Sequence, residues 1–292
     1  MVQIERSCGT HNGTFHADEV TACAFLLLFN LIDRDKIFRT RDPNLLDRCE
    51  YVCDVGGIYD PLKKRFDHHQ KEYTGPLSSA GMILGYLVAT HRLTQKEADF
   101  LNTSMIHGID AIDTGYDPKL SGFCFFSDVI SHFAPISYDA CSVEYDTAFF
   151  QALEFTADHL RRMLGRFRYF ESCKDQVEEV MKQQGECLLF PSHIPWIDAF
   201  FQLGGEDHRA KFIIMPVDNQ WMLRGIPPKS NDRMKVRIPL PESWAGLLNK
   251  ELEKISGIKG ALFCHKGRFI SMWETKEAAF QALEKILPNV NL

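Results

Sequence analysis

The segment Gly9-Thr10-His11-Asn12-Gly13-Thr14-Phe15-His16-Ala17-Asp18-Glu19 lies between an extended apolar run and a helical one. Residues 3–8 read as a strand, whereas residues 20–32 carry apolar side chains at helical spacing. Residues 36–41 and 50–54 read as two further strands. Strand, polar loop, helix and strand in that order predict a mostly parallel sheet, and parallel sheets collect ligands at the carboxyl ends of their strands. The loop crowds His11, His16, Asp18 and Glu19 into nine positions, with Gly13 letting it fold tightly. Imidazole and carboxylate are ordinary ligands of Mn, Fe and Zn. A loop that only caps the next helix requires one side-chain oxygen and has no use for two histidines. The cluster therefore reads as a metal site.

Three polar clusters follow. Asp54 ends the apolar run Tyr51-Val52-Cys53 and precedes Val55-Gly56-Gly57; its two oxygens can bind two cations, although an Asp before Gly-Gly also suits a turn. Asp67-His68-His69-Gln70 follows the β-like Arg65-Phe66. Adjacent side chains of an extended segment point to opposite faces. One histidine is thus expected to ligate metal while the other faces substrate, with Asp67 holding an imidazole N–H. Asp110-Ala111-Ile112-Asp113 sets two acids at i, i+3, a spacing that leaves open which of Asp110 and Asp113 reaches inward. Acids in the last turn of a helix oppose its dipole, so a positive group must offset them.

Residues 78–91 and 94–107 read as two helices, and residues 143–184 as a long helical connector broken near Gly165. β character returns at 186–190, 211–217, 220–225, 260–265 and 268–273, before a last helix at 276–286. The expected fold is α/β. It has an N-terminal parallel-sheet domain over 1–142, the connector, and a smaller C-terminal α/β domain over 185–292, with the active site in the cleft. Lys266-Gly267-Arg268 reads as a tight hairpin turn in which the glycine supplies the positive φ. Anion recognition is expected from the basic residues of this second domain, Arg209, Arg224, Arg233, Arg237, His265, Lys266 and Arg268. His265 and Arg268 stand foremost because they bracket the turn. Trp221, Trp244 and Phe269 can stack on bases, with core packing as the plainer role.

At 292 residues and 45% hydrophobic, the chain can bury the cores of two lobes. Its net charge of -6 argues against a protein that coats DNA non-specifically, so positive charge for a phosphate must come from a local patch or from metal ions. Nine cysteines without a C-x-x-C pair read as buried, reduced thiols. Glu5 and Arg6 are unlike a signal or transit peptide, and the apolar runs fall short of the roughly 20 residues that a membrane span needs. A soluble cytoplasmic protein without a membrane partner is expected.

The order His…His-x-Asp, Asp, Asp-His-His, Asp resembles the signature of the DHH phosphoesterases, which include RecJ-type exonucleases, oligoribonucleases and family II inorganic pyrophosphatases. GTHNGTFHADE, DVGGIYDP, RFDHHQ, LSSAG, DAID-x-G, GGED and SGI-x-G-x-x-F-x-H together resemble the melanocyte-proliferating-gene exonuclease branch, over residues 8–265. The resemblance implies two divalent cations, one held by His11, His16 and Asp54 and the other by Asp18, Asp54, His68 and Asp113, with Asp113 preferred to Asp110. It implies catalytic roles for His69, as donor to the phosphate, and for Asp67. His16 stands where an Asp is commoner, which favours Mn, and also Fe, Co or Zn, over Mg. The Gly-Gly-His of RecJ-like relatives has no match; Gly204-Gly205-Glu206-Asp207 is different chemistry. The implied activity is a 3′–5′ exonuclease or oligonucleotide phosphodiesterase on short single-stranded RNA or DNA, and a homodimer is compatible with it. Two alternatives are a hydrolase of small phosphoesters, such as pyrophosphate or a cyclic dinucleotide, and a non-catalytic metal-binding protein of the same fold.

Overall fold

The extended run before the polar loop forms β1 (Ile4–Thr10), and the helical run after it forms α1 (Ala17–Leu28). The chain continues through β2 (Ile37–Arg39), α2 (Pro43–Leu46), β3 (Cys49–Cys53), β4 (Tyr59–Asp60) and β5 (Arg65–Phe66). In the computed structural model, which describes residues 2–116, 120–183, 185–232 and 234–288, these strands form one sheet of order β2-β1-β3-β5-β4. β2, β1, β3 and β5 run parallel, and the edge strand β4 pairs antiparallel with β5. The order 2-1-3 puts a topological switch point between β1 and β3, where the loops leaving the two strands diverge and a crevice opens.

Helices cover one face of this sheet thickly. α1 is buried from Ala17 to Leu26 because it carries small and apolar side chains all round, and such a helix must be covered. α3 (Ser79–Ala89) packs on it. α4 (Gln95–Leu101) runs through a π-helical turn, Asn102–Ile106, into α5 (His107–Asp113), so the expected second helix extends to Asp113. α6 (Phe126–Ser131) and α7 (Ser142–Ser172) follow. Cys8, Phe25, Tyr51, Cys53, Phe66 and Ile83 belong to the core on this side, and each large side chain buried there contributes about 1.5–3 kcal/mol. On the other face α2 sets Leu46 against Cys49 and Val52. It lies so close to β1 that a Cβ on Gly9 would stand 2.6 Å from Leu46 Cδ2.

α7 runs unbroken through Gly165, contrary to the expected interruption. A helical glycine costs only about 1 kcal/mol relative to alanine, and burial of Phe149, Leu153, Leu160 and Leu164 along one stripe outweighs it. The chain divides within this helix into two units, Met1–Phe167 and Arg168–Leu292. Gln184, the expected end of the connector, lies outside the described residues.

The second unit contains α8 (Lys174–Met181), β6 (Cys187–Leu189), α9 (Ile197–Gln202), β7 (Phe212–Val217) and β8 (Gln220–Gly225). α10 (Asn249–Ser256), β9 (Ala261–Cys264), β10 (Ile270–Trp273) and α11 (Lys276–Ile286) complete it. Its sheet has the order β6-β7-β8-β10-β9, parallel between β6 and β7 and antiparallel elsewhere. Side chains alternate across it: Phe212, Ile214 and Leu223 enter one core with Trp244 and Trp273, and Ile213, Met215 and Met222 enter the other with Phe200. Trp244 and Trp273 meet edge to face at 5.7 Å, so Trp244 is a core residue.

The β9–β10 connection differs from the tight turn expected. It is a five-residue loop in which Arg268 N–H donates to the His265 carbonyl, and the positive φ, 57°, belongs to Arg268 and not to Gly267. Seven of the nine cysteines are buried, whereas Cys124 and Cys141 are exposed. Burial pushes the Cys187 thiol up to about 12. No helix among the described residues is long and apolar enough to cross a membrane.

Candidate metal centre

The loops leaving β1, β3 and β5 and the last turn of α5 bring their imidazoles and carboxylates together. His11 Nε2 lies 3.1 Å from Asp54 Oδ2 and 3.1 Å from Glu19 Oε1. His68 Nε2 lies 3.3 Å from the other Asp54 oxygen, Oδ1, and 2.9 Å from Asp113 Oδ2. The donor atoms fall into three groups, each within 4.8 Å: His11, His16, Glu19 and Asp54; Asp54, His68 and His69; and His16, Asp18 and Asp113. Asp54 is shared by the first two and His16 by the first and third. Asp54 adopts a left-handed backbone (φ 58°), rare for a residue with a Cβ, and Gly56 (φ 99°) and Gly57 (φ 68°) then turn the chain back.

Burial and charge set the protonation of this cluster. Burial works against charging His11, but Asp54 and Glu19 outweigh it and lift its pKa to about 10. Asp113, then Asp54, lifts His68 to about 10 as well. Burial would raise Asp54; the facing His11 and His68 overcome that and hold it at about 2. Asp18 gains no such offset. It is completely buried, and burial together with the charges of Asp54, Glu19 and Asp113 pushes its pKa well above the usual carboxylate range.

A divalent cation fits this donor set. Both oxygens of Asp18, Oδ1 of Asp54 and Nε2 of His68 are buried without a hydrogen-bond partner. His68 Nε2 is within ion-pair distance of two carboxylates yet lacks hydrogen-bond angles to either. Lone pairs that converge in distance but not in direction are what ligands facing a common ion present, and buried polar atoms otherwise find partners. The Asn12 carbonyl, 3.2 Å from His11 Nδ1, can hold a proton there and leave Nε2 free to ligate.

The two acids of the fourth cluster part company. Asp110 is buried, and its Oδ1 accepts from Ser78 N, Ser78 Oγ and Gly81 N, which secures the start of α3. Gly81 permits that approach, since a Cβ there would stand 2.1 Å from Asp110 Oδ2. Asp113 faces His68 instead. Asp113, at the C-terminal end of α5, opposes the helix dipole, and His68 is the offset. Asp67 accepts from Gly57 N at 2.6 Å and from His69 N at 3.1 Å, and its Oδ1 is 2.9 Å from His69 Nδ1. It thereby ties the Asp54 loop to the Asp67-His68-His69 segment.

Arg39, at the end of β2, clamps the histidine loop. Its guanidinium donates to the Gly13 carbonyl at 2.6 Å and to Asp146 of α7 at 2.7 Å, and it lies over the Phe149 ring. Two residues of the centre, Glu19 and Arg41, lie outside the ligand set that the resemblance implies. Glu19 accepts from His16 N at 2.9 Å, the capping-box position, which masks its second role beside His11. Arg41 lines, with His11, His16, Asp54, Asp67 and His69, a cavity of about 330 Å³.

The basic residues expected to bind substrate lie in the second unit. His265 stands 4.4 Å from the Phe269 ring, and Arg224 lies over the same ring at 5.7 Å. Arg268 sits in the loop between His265 and Phe269. Arg237 departs from the expected anion contact: its guanidinium donates to the carbonyls of Gly205, Glu206, His208, Ala210 and Pro227, which leaves it a structural staple. Arg233 lies outside the described residues.

Acids and imidazoles converging at the switch point of an open parallel sheet define an α/β metal-site protein. Over residues 7–287 the chain matches the model of the MYG1_exonuc family, described as an uncharacterised protein family (UPF0160), and it belongs to that family. It is 51% identical to the "MYG1 protein" of Chlamydia muridarum over 98% of both chains. It is 31% identical to the "MYG1 exonuclease" of Homo sapiens over 93% of this chain and 83% of that one. Among solved structures, RecJ from Thermus thermophilus in complex with Mn2+ is similar over 96% of this chain and 51% of that one, at 13% identity and a TM-score of 0.27.

Proposed function

We propose that the chain is a two-metal-dependent phosphoesterase, a 3′–5′ exonuclease or oligonucleotide phosphodiesterase acting on short RNA or DNA. The observation that carries this reading is the carboxylate of Asp54, whose two oxygens face two different donor groups. The name of the human relative supports the exonuclease assignment. His11, His16 and Asp54 hold one cation, with Glu19 beside them; Asp18, Asp54, His68 and Asp113 hold the other. When bound, such cations supply Lewis-acid activation of water and neutralise phosphate oxygens. The chain's own residues then orient and protonate. Asp67 Oδ1, at 2.9 Å from His69 Nδ1, fixes the orientation of that ring. Exposed His69 is the residue assigned to donate to a phosphate oxygen. The imidazole-rich donor set favours Mn2+, with Fe, Co or Zn as substitutes, over Mg2+.

Product analysis tests the proposal. Purified protein with Mn2+ is expected to release mononucleotides stepwise from an end-labelled 5-mer RNA or DNA, and excess chelator is expected to stop the reaction. Hydrolysis confined to pyrophosphate or cyclic dinucleotides would favour the small-phosphate reading, and Mn2+ binding without any hydrolysis the non-catalytic one.

The ligand assignment has its own test. Asp110→Ala strands three donors, so the Tm of the metal-free protein is expected to fall by roughly 5–10 °C. Asp113→Ala should leave that Tm near wild type and abolish the rise that Mn2+ produces. Thermal melts with and without Mn2+ decide, and an Asp113→Ala protein with the full Mn2+ response would reverse the assignment.

A further inference from the structure

The cavity at the metal centre is lined by histidines, aspartates, glycines, Val55 and one guanidinium, that of Arg41. Phosphate recognition was expected in the second unit, yet this arginine belongs to the same loops as the ligands. Its surroundings separate it from the arginines that hold the fold together. The side chain of Arg39, two residues earlier, is 2% exposed and engaged by Gly13, Asp146 and Phe149. Arg41 is exposed and, among the described residues, makes no hydrogen bond or ion pair. Its backbone is nonetheless anchored on both sides. Thr40 N donates to the Thr10 carbonyl at 2.7 Å, and Asp42 N donates to Thr40 Oγ1 at 3.0 Å while the Asp42 carboxylate caps α2 through Asn44 N. The fixed backbone places this guanidinium at the rim of the cavity, where it can take up an incoming anion without first breaking another contact.

We propose that Arg41 binds a phosphate of the substrate and positions it over the metal centre. This rests on the phosphoesterase reading of the same site and adds the residue that supplies its fixed positive charge. A phosphodiester brings a planar pair of oxygens that the guanidinium fork can take up bidentately. The cavity offers no other Lys or Arg among its lining residues. Arg41 leads from β2 and the His11–His16 loop from β1, and the two strands pair residue by residue from Cys8–Ile37 to Thr10–Arg39. The spacing between anion contact and ligands is therefore set by the sheet.

The experiment compares wild type, Arg41→Ala and Arg41→Lys as full-length Mn2+-loaded proteins. Rates on the 5-mer are followed over a range of salt concentrations, and Mn2+ affinity and inorganic phosphate binding are measured alongside. Arg41→Ala is expected to lower kcat/KM by about 10- to 100-fold, the worth of a hydrogen bond to a charged group. The slope of log kcat/KM against log salt should flatten by about one, the signature of a lost phosphate contact. Arg41→Lys should restore the slope but only part of the rate, and Mn2+ affinity should stay at the wild-type value in both. An Arg41→Ala enzyme with unchanged rate and slope overturns the proposal. Should wild type be inactive on RNA, DNA, pyrophosphate and cyclic dinucleotides, the phosphoesterase reading falls, and phosphate binding still decides for Arg41. A tenfold or greater loss of phosphate affinity in Arg41→Ala supports the contact, and equal affinity rejects it.

Discussion

Asp54→Ala is expected to lower hydrolysis by at least about 10³-fold, equivalent to roughly 4 kcal/mol of transition-state stabilisation. It should also remove most of the protein's affinity for Mn2+. No other side chain of the centre offers separate oxygens to His11 and to His68, so its loss disconnects both donor groups at once. Alanine tolerates the left-handed backbone at position 54 less well than aspartate. Asp54→Asn is therefore the companion variant, since it keeps the side-chain shape and the backbone preference and removes only the charge. Turnover and Mn2+ titration of the two variants test the bridging role, and an Asp54→Asn enzyme with wild-type kcat would end it.

The second large effect has opposite signs in the metal-free and metal-loaded proteins. Asp18→Asn is expected to raise the Tm of the metal-free protein at pH 7–8 by a few degrees and to erase its gain on adding Mn2+. The folded state holds the Asp18 proton more tightly than the unfolded chain does, because burial and then Asp54, Glu19 and Asp113 penalise its charge. Such a group destabilises the fold once pH rises above the unfolded carboxylate value of about 3.9, and asparagine lifts that penalty. The stabilisation should consequently shrink as pH is lowered toward that value and the wild-type carboxyl becomes neutral. Melting curves from pH 4 to 8, with chelator or with Mn2+, read both effects. A metal-free Asp18→Asn protein less stable than wild type at pH 8 would show that the buried carboxylate is not strained.

Much of the first unit could be read from residues in sequence because its signals are local. The change from extended to helical spacing around residues 9–19 located β1 and α1, and the acids and imidazoles at strand ends located the centre. What the sequence did not reveal depends on partners far along the chain. Asp110 and Asp113 are equivalent by spacing; Ser78 and Gly81, about thirty residues earlier, engage Asp110, while Asp113 faces His68. Arg237 looks like any basic surface residue until five carbonyls from distant parts of the chain surround it. β4 has two residues, too few for any periodicity to register. Gly165 shows the reverse error, a local signal for a break that tertiary packing overrides.

The donors of the metal centre come from the ends of β1, β3 and β5 and from the last turn of α5, segments separated by tens of residues. Such a constellation exists only after those strands have paired and α5 has docked. The donor set is thus complete only in the folded domain, and an ion held there would favour that state over the unfolded chain. If the centre forms after the transition state, occupancy would slow unfolding more than it speeds folding, making the ion a kinetic latch on a finished domain.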